Sequence, residues 1–337
     1  MMQVHTSQPA WTQPDWFWQA SAWIQAELEQ QGITVIGQIE QPHVRPWSTV
    51  LRATTSAGNI YFKATASMLM HEPALTQALS RWQPACTPTL LAADLQRGWM
   101  LMADGGMRLR EILTADRDIR HWEKLLPIYA EVQVELASRL QIILELGVPN
   151  RRLATLPAQY EQLLADGNVL LIDQPGGLTL AEYQRLCNLQ VHFAALCEQL
   201  VAYRIPESIN HGDFHDGNVF FNNGHYVFFD WGDSCIAHPF FSLRTVFVSV
   251  ENTLQVVETA PEFERLRDAY LEPWTRYASR EHLLAAYQLA QRLSPISSAL
   301  GWYRVISSLD ESLRNDYAEA IPSLFQEFLS SEATILE

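Results

Sequence analysis

The sequence has few basic residues for its length. Its 337 residues include 23 Lys and Arg against 38 Asp and Glu, which gives a formal net charge of −15. Nucleic acids and anionic membranes are both bound through basic surfaces, so we expect neither as a partner. An acidic surface mainly keeps a protein soluble, although it is compatible with a cationic substrate.

Cysteine is also scarce, and no segment is apolar enough to span a membrane. The four cysteines include no Cys-x-x-Cys pair, so a zinc ribbon or a redox motif has no support. Four cysteines in a chain of this length do not make a disulfide framework. No apolar run approaches the ~20 residues that a membrane helix needs. Residues 1–16 lack the cationic and apolar segments of a signal peptide, and we therefore expect a cytoplasmic protein.

The first hundred residues predict a small β lobe that follows a helix. Residues 15–31 have helical apolar spacing and end at Gly32. Residues 50–65 alternate polar and apolar side chains on both sides of the turn SAGN, which is typical of a β-hairpin. A short helix over 72–81 and a second strand pair over 90–104 complete this lobe.

After Asp104-Gly105-Gly106, which predict a lobe boundary, the chain becomes mostly helical. One short β segment interrupts the helices, because residues 219–231 form two apolar runs around Asn223-Gly224, a strong hairpin signal. We therefore expect an α+β protein with two lobes. The smaller is an antiparallel β lobe over residues 1–104, and the larger is a helical lobe over 105–337.

Polar residues flank the embedded hairpin on both sides. The segment HGDFHDGN (211–218) precedes it and DWGD (230–233) follows it. A tight hairpin brings Asn218 and Asp230 side by side, and an amide oxygen and a carboxylate are hard ligands that hold Mg²⁺ against nucleotide phosphates. Asp213 can accept or orient the proton of an attacking hydroxyl. This combination is typical of phosphoryl transfer.

The β lobe supplies a candidate phosphate ligand. Lys63 lies on the strand after the first hairpin turn, where a protein kinase places the lysine that contacts the α- and β-phosphates. Glu72 follows nine residues later and could pair with this lysine. Asp213, Asn218 and Asp230 also follow the kinase order of catalytic aspartate, asparagine and metal-binding aspartate.

These motifs resemble those of the aminoglycoside phosphotransferase / choline kinase-like family, whose fold is a variant of the protein-kinase fold. HGDFHDGN and FFDWGDS match the HGDxxxxN and DWxD signatures of that family. The order of elements agrees over nearly the whole chain. The resemblance implies a two-lobed kinase-like fold that binds ATP and Mg²⁺. It also implies transfer of the γ-phosphate to a hydroxyl of a small aminoglycoside-, choline- or sugar-like acceptor.

The resemblance also assigns roles to single residues. Asp213 is implied as the catalytic base, His211 as the residue that braces the catalytic loop, and Asn218 and Asp230 as the Mg²⁺ ligands. Lys63 is implied as the phosphate-binding lysine, with Glu72 as its ion-pair partner.

Three features depart from the family pattern. The spacing from Lys63 to Glu72 is short. The loop around Arg45–Thr49 has no glycine. Ser48 and Thr49 could still offer backbone N–H and hydroxyl donors to phosphate, while a plain turn role for Ser48 remains open. Asp216 stands where many members have proline, which predicts a less rigid loop.

Two other functions remain as alternatives. A catalytically inactive pseudokinase would bind nucleotide only, although Lys63 and the three motif residues Asp213, Asn218 and Asp230 are all retained. A metal-dependent hydrolase could use His211, Asp213 and His215, but it would leave Lys63 without a role. The acceptor site is expected within residues 234–310, and the net charge mildly favours a cationic acceptor.

Overall fold

The computed structural model describes residues 9–257 and 259–333, whose elements group into two units. Unit 1 contains the described residues up to Leu109 together with Gly217–Gly232 and Ser308–Leu313. Unit 2 contains Arg110–Asp216, Asp233–Ser307 and the described residues from Arg314 onward. The expectation about a signal peptide concerns residues 1–16, of which 1–8 lie outside the described residues. The predicted functional division at residue 104 stays a prediction.

The strands fall into three antiparallel sheets. Unit 1 holds a five-stranded sheet in the order β1-β2-β3-β5-β4 and a three-stranded sheet in the order β6-β8-β9, while β7 and β10 pair in unit 2. The strands are β1 (Val35–Val44), β2 (Ser48–Thr55), β3 (Gly58–Thr65), β4 (Leu90–Asp94), β5 (Trp99–Ala103), β6 (Met107–Arg108), β7 (Ser208–Asn210), β8 (Val219–Asn222), β9 (His225–Phe228) and β10 (Cys235–Ala237).

The helices are concentrated in unit 2. They are α1 (Trp16–Gln30), α2 (Glu72–Trp82), α3 (Leu109–Asp116), α4 (Arg120–Leu136), α5 (Leu140–Glu145), α6 (Leu156–Leu164), α7 (Gly167–Leu170), α8 (Leu180–Asn188), α9 (Gln190–Ala202), α10 (Ser242–Leu254), α11 (Pro261–Leu271), α12 (Arg280–Ile306), α13 (Glu311–Arg314) and α14 (Ala320–Ala333). In the described part of the chain, no helix combines the length and the apolar character needed to cross a membrane.

Helix α1 covers one face of the five-stranded sheet. Its buried side chains recur at helical spacing and join Leu51, Phe62 and Trp99 from the sheet in one apolar cluster. Burying such side chains contributes roughly 1.5–3 kcal/mol each. The cluster fixes β3, because Phe62 of that strand is fully buried within it.

The long helix α12 continues through a proline. It runs from Arg280 to Ile306 with Pro295 inside it. Proline usually breaks a helix because its ring clashes with the preceding turn. Here Pro295 and its neighbours Ser294 and Ser297 are buried, so packing overrides the local preference.

Candidate active site

Lys63 occupies the centre of the large sheet of unit 1. It pairs with Val50 of β2 on one side and with Met100 of β5 on the other. Its side chain is buried, and its Nζ lies 2.6 Å from Glu72 Oε1 and 2.5 Å from Asp230 Oδ1. Burial disfavours the charged ammonium group, but the charges of Asp230 and Glu72 outweigh it and raise the pKa of Lys63. Lys63 is therefore a fixed, permanently charged cation.

Local sequence explains why Glu72 reaches Lys63. Helix α2 begins at Glu72, and Pro73 occupies its first turn, where the missing N–H and fixed φ of proline are tolerated. Glu72 is 1% exposed, so its carboxylate is held against the sheet. The short spacing from Lys63 is thus compatible with an ion pair.

Asn218 and Asp230 flank the β8–β9 hairpin, as its pattern predicts. Val219 pairs with Phe228, and Phe229 N donates to Asn218 O at 2.8 Å, which extends the pairing by one step. Asp230 has a φ of 63°, a left-handed conformation that is uncommon for residues other than glycine. Such outliers concentrate at functional sites.

The donor set at this hairpin fits Mg²⁺. A carboxylate and an amide oxygen are hard ligands, and Mg²⁺ binds through one or two carboxylates while phosphates and waters supply the rest. The side chain of Asp230 is 44% exposed, so the carboxylate is accessible from solvent. Residues 9–257 and 259–333 contain no cluster of three or more His, Cys, Asp or Glu side chains that could hold a metal ion.

Ser48 and Thr49 lie in a strand and not in the preceding loop. They are the first residues of β2, and the loop is limited to Arg45–Trp47. The Thr49 hydroxyl donates to His43 O at 2.8 Å and accepts from Gln41 Nε2 at 2.9 Å. This hydroxyl is therefore already hydrogen-bonded to strand β1. Their contact with phosphate stays a prediction.

His211 and Asp213 belong to unit 2, at the end of strand β7. The His211 ring is fully buried, its backbone N donates to Tyr129 Oη at 3.0 Å, and its Nδ1 accepts from Asp213 N at 3.4 Å. Next to Asp213, Phe214 stacks on Tyr129 with ring centroids 3.9 Å apart. Such contacts hold the loop on both sides of Asp213, which is the arrangement that the predicted bracing role of His211 requires.

Gly212 permits this loop to lie close to a neighbouring segment. Its φ is +81°, and a Cβ there would lie 2.2 Å from the backbone oxygen of Asp233. Only glycine satisfies both conditions. The HGD motif therefore contacts Asp233, the last residue of DWGD, within unit 2.

His215 is a neighbour of Asp213 that sequence reasoning left without a role in phosphoryl transfer. Its Nε2 lies 3.2 Å from Asp213 Oδ2, and its Nδ1 lies 3.3 Å from Arg110 Nη2. Burial lowers the pKa of His215, but the hydrogen bond and the charge of Asp213 outweigh burial, so the pKa is raised overall.

Asp216 anchors the loop, contrary to the expectation of a less rigid one. Its carboxylate is fully buried and accepts from Arg110 Nε at 2.7 Å and from Thr253 Oγ1 at 2.5 Å. Its backbone N donates to Ser249 Oγ at 3.2 Å. An ionic and hydrogen-bonded anchor replaces the rigidity that proline would give, which no local sequence pattern could indicate.

The fold is that of small-molecule kinases. An ethanolamine kinase from Plasmodium vivax superposes with a TM-score of 0.62 at 12% identity, covering 95% of this chain and 89% of that chain. A choline kinase from Streptococcus pneumoniae gives 0.60 at 13% identity, covering 93% and 99%. A spectinomycin phosphotransferase, solved with ADP and spectinomycin, gives 0.52 at 13%, covering 92% and 98%. The predicted two-lobed kinase-like fold is thereby confirmed.

The family follows from a second comparison. The model of the phosphotransferase enzyme family matches residues 81–283, which include both HGDFHDGN and DWGD. This chain belongs to that family and is a kinase-type phosphotransferase. A search of curated proteins finds no match. Lys63 and Glu72 precede the matched residues, so their assignment depends on the ion pairs described above.

Proposed function

We propose that this protein transfers the γ-phosphate of ATP, in the presence of Mg²⁺, to a hydroxyl group of a small molecule in the cytoplasm. The observation that carries the proposal is the position of Lys63 Nζ, which contacts both Glu72 and Asp230. A buried cation fixed by two carboxylates is suited to holding the α- and β-phosphates of a nucleotide. The ADP complex of the spectinomycin phosphotransferase supports the same choice of nucleotide.

Each residue has a defined part in the proposed reaction. Glu72 orients Lys63, and Lys63 holds the phosphates in position for transfer. Mg²⁺ held by Asn218 and Asp230 would neutralise part of the phosphate charge. The oxygen of the acceptor hydroxyl forms a bond to the γ-phosphorus while Asp213 accepts the hydroxyl proton. At the same time the bond from the γ-phosphorus to the β–γ bridging oxygen breaks. The products are a phosphate ester and ADP.

The proposal requires Asp213 and Asn218 to act on one phosphate. They are five positions apart in the sequence, so the chain alone keeps their Cα atoms within about 18 Å. The named neighbours act on ethanolamine, choline and spectinomycin. These compounds, with aminoglycosides, sugars, homoserine and thiamine, are the first acceptors to test.

The test is ADP release from Mg-ATP across this panel, with Asp213→Ala and Asp230→Ala as variants. We expect Asp213→Ala to lower kcat by about 10²- to 10⁴-fold, the usual contribution of a general base, with little change in the KM for ATP. Asp230→Ala should remove the stabilisation of the protein against heat by Mg-ATP. The exposed Glu264 of α11 provides a matched control, because Glu264→Ala removes a unit 2 carboxylate that has no role in the proposed reaction.

Three outcomes separate the alternatives. Acceptor-dependent ADP release that disappears in Asp213→Ala establishes the transferase. Stabilisation by Mg-ATP without turnover on any compound of the panel indicates either a pseudokinase or an acceptor outside the panel. A wild-type protein that Mg-ATP does not stabilise contradicts the proposal.

A further inference from the structure

Unit 2 contains a cavity of about 250 Å³ whose lining residues have no role in the proposed chemistry. Its walls are the loop before α6, helix α6 itself and the last turns of α12. Its polar lining consists of Asn150, Arg151, Gln159, Gln162, Tyr303 and Arg304.

Arg151 is a buried charge in the wall of this cavity. It is 5% exposed, and its Nη1 donates to Ser297 O at 3.2 Å. Among the described residues, no carboxylate lies within 4.0 Å of its guanidinium group. Arg151 also contacts the Cys235 thiol, and burial raises the pKa of that thiol, so Cys235 is neutral. The carbonyl and the thiol accept hydrogen bonds from the guanidinium group, but neither neutralises its positive charge.

Arg304 brings a second positive charge to the same cavity. Burial and the neighbouring charge of Arg151 lower the pKa of Arg304 to about 10, while the charge of Asp233 opposes this shift. Arg304 therefore remains protonated at neutral pH. Two mutually repelling guanidinium groups in one cavity suit a bound oxyanion, because arginine donors match carboxylate and phosphate geometry.

Hydrogen bonds hold other parts of the cavity wall in place. Arg151 N donates to Ile236 O at 2.8 Å, which attaches the loop to strand β10. Tyr303 Oη donates to Asp166 Oδ2 at 3.2 Å, so its ring is held at the cavity wall. Gln159 Nε2 donates to Asn150 O at 2.7 Å. Three of the residues that line the cavity are thus held by hydrogen bonds.

Asp233 connects the cavity to the catalytic loop within unit 2. Its charge acts on Arg304, and its backbone oxygen packs against Gly212, the residue before Asp213. A ligand group bound by the two arginines would therefore lie on the Asp233 side of the loop that carries Asp213.

We propose that this cavity binds a carboxylate or phosphate group of the phosphoryl acceptor, so that the acceptor is a hydroxyl compound that also carries an oxyanion. This inference rests on the proposed function, since it assigns the acceptor of that reaction. It differs from the cationic acceptor that the net charge favours. The charge of the whole chain is −15, but the cavity is positively charged locally.

The test measures oxyanion binding separately from catalysis. Thermal shift and calorimetry with inorganic phosphate and with D-glycerate, at constant ionic strength, are carried out on the wild type, Arg304→Gln and Arg304→Lys. We expect Arg304→Gln to weaken binding by about 10-fold or more, the scale of a lost charged hydrogen bond, and Arg304→Lys to retain more of it. Lys63→Met is the control, because phosphate could also bind at Lys63. Loss in Lys63→Met with retention in Arg304→Gln would overturn the inference.

The acceptor arm compares D-glycerate and glycerol 3-phosphate with neutral glycerol in the ADP-release assay. Turnover of either anionic compound, with a KM that rises in Arg304→Gln, supports the inference and identifies the oxyanion as carboxylate or phosphate. Turnover only of choline, ethanolamine or glycerol, with no oxyanion binding, overturns it.

Failure of the proposed function has a different signature. If the proposed function is wrong, Mg-ATP does not stabilise the wild type. If it is right, Mg-ATP stabilises both the wild type and Arg304→Gln. Oxyanion binding in a protein that Mg-ATP does not stabilise would overturn the acceptor role of the cavity.

Discussion

His215 Nε2 lies 3.2 Å from Asp213 Oδ2. If Nε2 carries the proton, it donates to this carboxylate, while Nδ1 accepts from Arg110 Nη2 at 3.3 Å. The hydrogen bonds select this tautomer of the imidazole ring. The side chain proposed as catalytic base is therefore oriented by a neighbour two residues away, which in turn is oriented by Arg110.

We expect His215→Phe to lower kcat by about 10- to 100-fold, the scale of misplacing a catalytic group by about 1 Å. The KM for Mg-ATP should change little, because His215 contacts Asp213 and Arg110 and has no proposed contact with nucleotide. His215→Gln keeps an N–H donor and should recover part of the lost rate. Steady-state kinetics with the acceptor found in the panel measures both parameters. A uniform loss of folded protein in both variants, without a kcat effect, would contradict this orienting role.

Replacing Asp216 should destabilise unit 2. Its buried carboxylate accepts from Arg110 and Thr253, so Asp216→Ala leaves their donors unsatisfied. We expect a loss of roughly 3 kcal/mol in the free energy of unfolding, measured by urea denaturation. Thr253→Val removes one of these hydrogen bonds and should cost about 1 kcal/mol. Equal effects of the two variants would show that Asp216 is not the anchor.

Much of the candidate site follows from the sequence because its motifs are local. Asn218 and Asp230 flank a hairpin whose apolar runs and Asn-Gly turn determine its register, and the structure pairs Val219 with Phe228 accordingly. The contact of Lys63 with Asp230 joins residues 167 positions apart. The sequence places both residues in recognisable kinase motifs, but it does not predict that they contact each other.

Other features could not be predicted because no local pattern encodes them. Arg110 and Asp216 are 106 positions apart, and neither lies in a motif that requires the other. Strands β7 and β10 have three residues each, too few to show alternation. Pro295 alone predicts the end of a helix, but α12 continues through it, because tertiary packing overrides the local preference there.

Gly212→Ala should be far more harmful than Gly224→Ala, although both glycines have positive φ values. At Gly212 a Cβ would lie 2.2 Å from Asp233 O, whereas at Gly224 no atom lies within 4 Å. The left-handed backbone alone costs roughly 1 kcal/mol for alanine, which is the full effect expected at Gly224. At Gly212 the clash also displaces the loop, so we expect a larger loss of thermal stability and a lower kcat. Similar melting temperatures for the two variants would contradict the close contact.

His238 should make the protein less stable in mild acid. Burial lowers the pKa of His238 to about 3, against about 6.5 in an unfolded chain. Between these two pKa values the unfolded state binds a proton at His238 and the folded state does not. The free energy of unfolding therefore falls as the pH drops from about 6.5 toward 3. Each pH unit in that window costs about 1.4 kcal/mol from this group. Above pH 7 the group contributes no pH dependence.

The variant His238→Asn isolates this contribution. His238 Nδ1 accepts from Phe240 N at 3.3 Å at the start of a short helical turn, and an asparagine oxygen can accept the same hydrogen bond. Because asparagine does not titrate, the wild type should lose its stability advantage over the variant as the pH falls from 7 to 5. Urea unfolding at three pH values in that range measures the difference. Parallel stability curves for the two proteins would show that the buried imidazole can be protonated without unfolding.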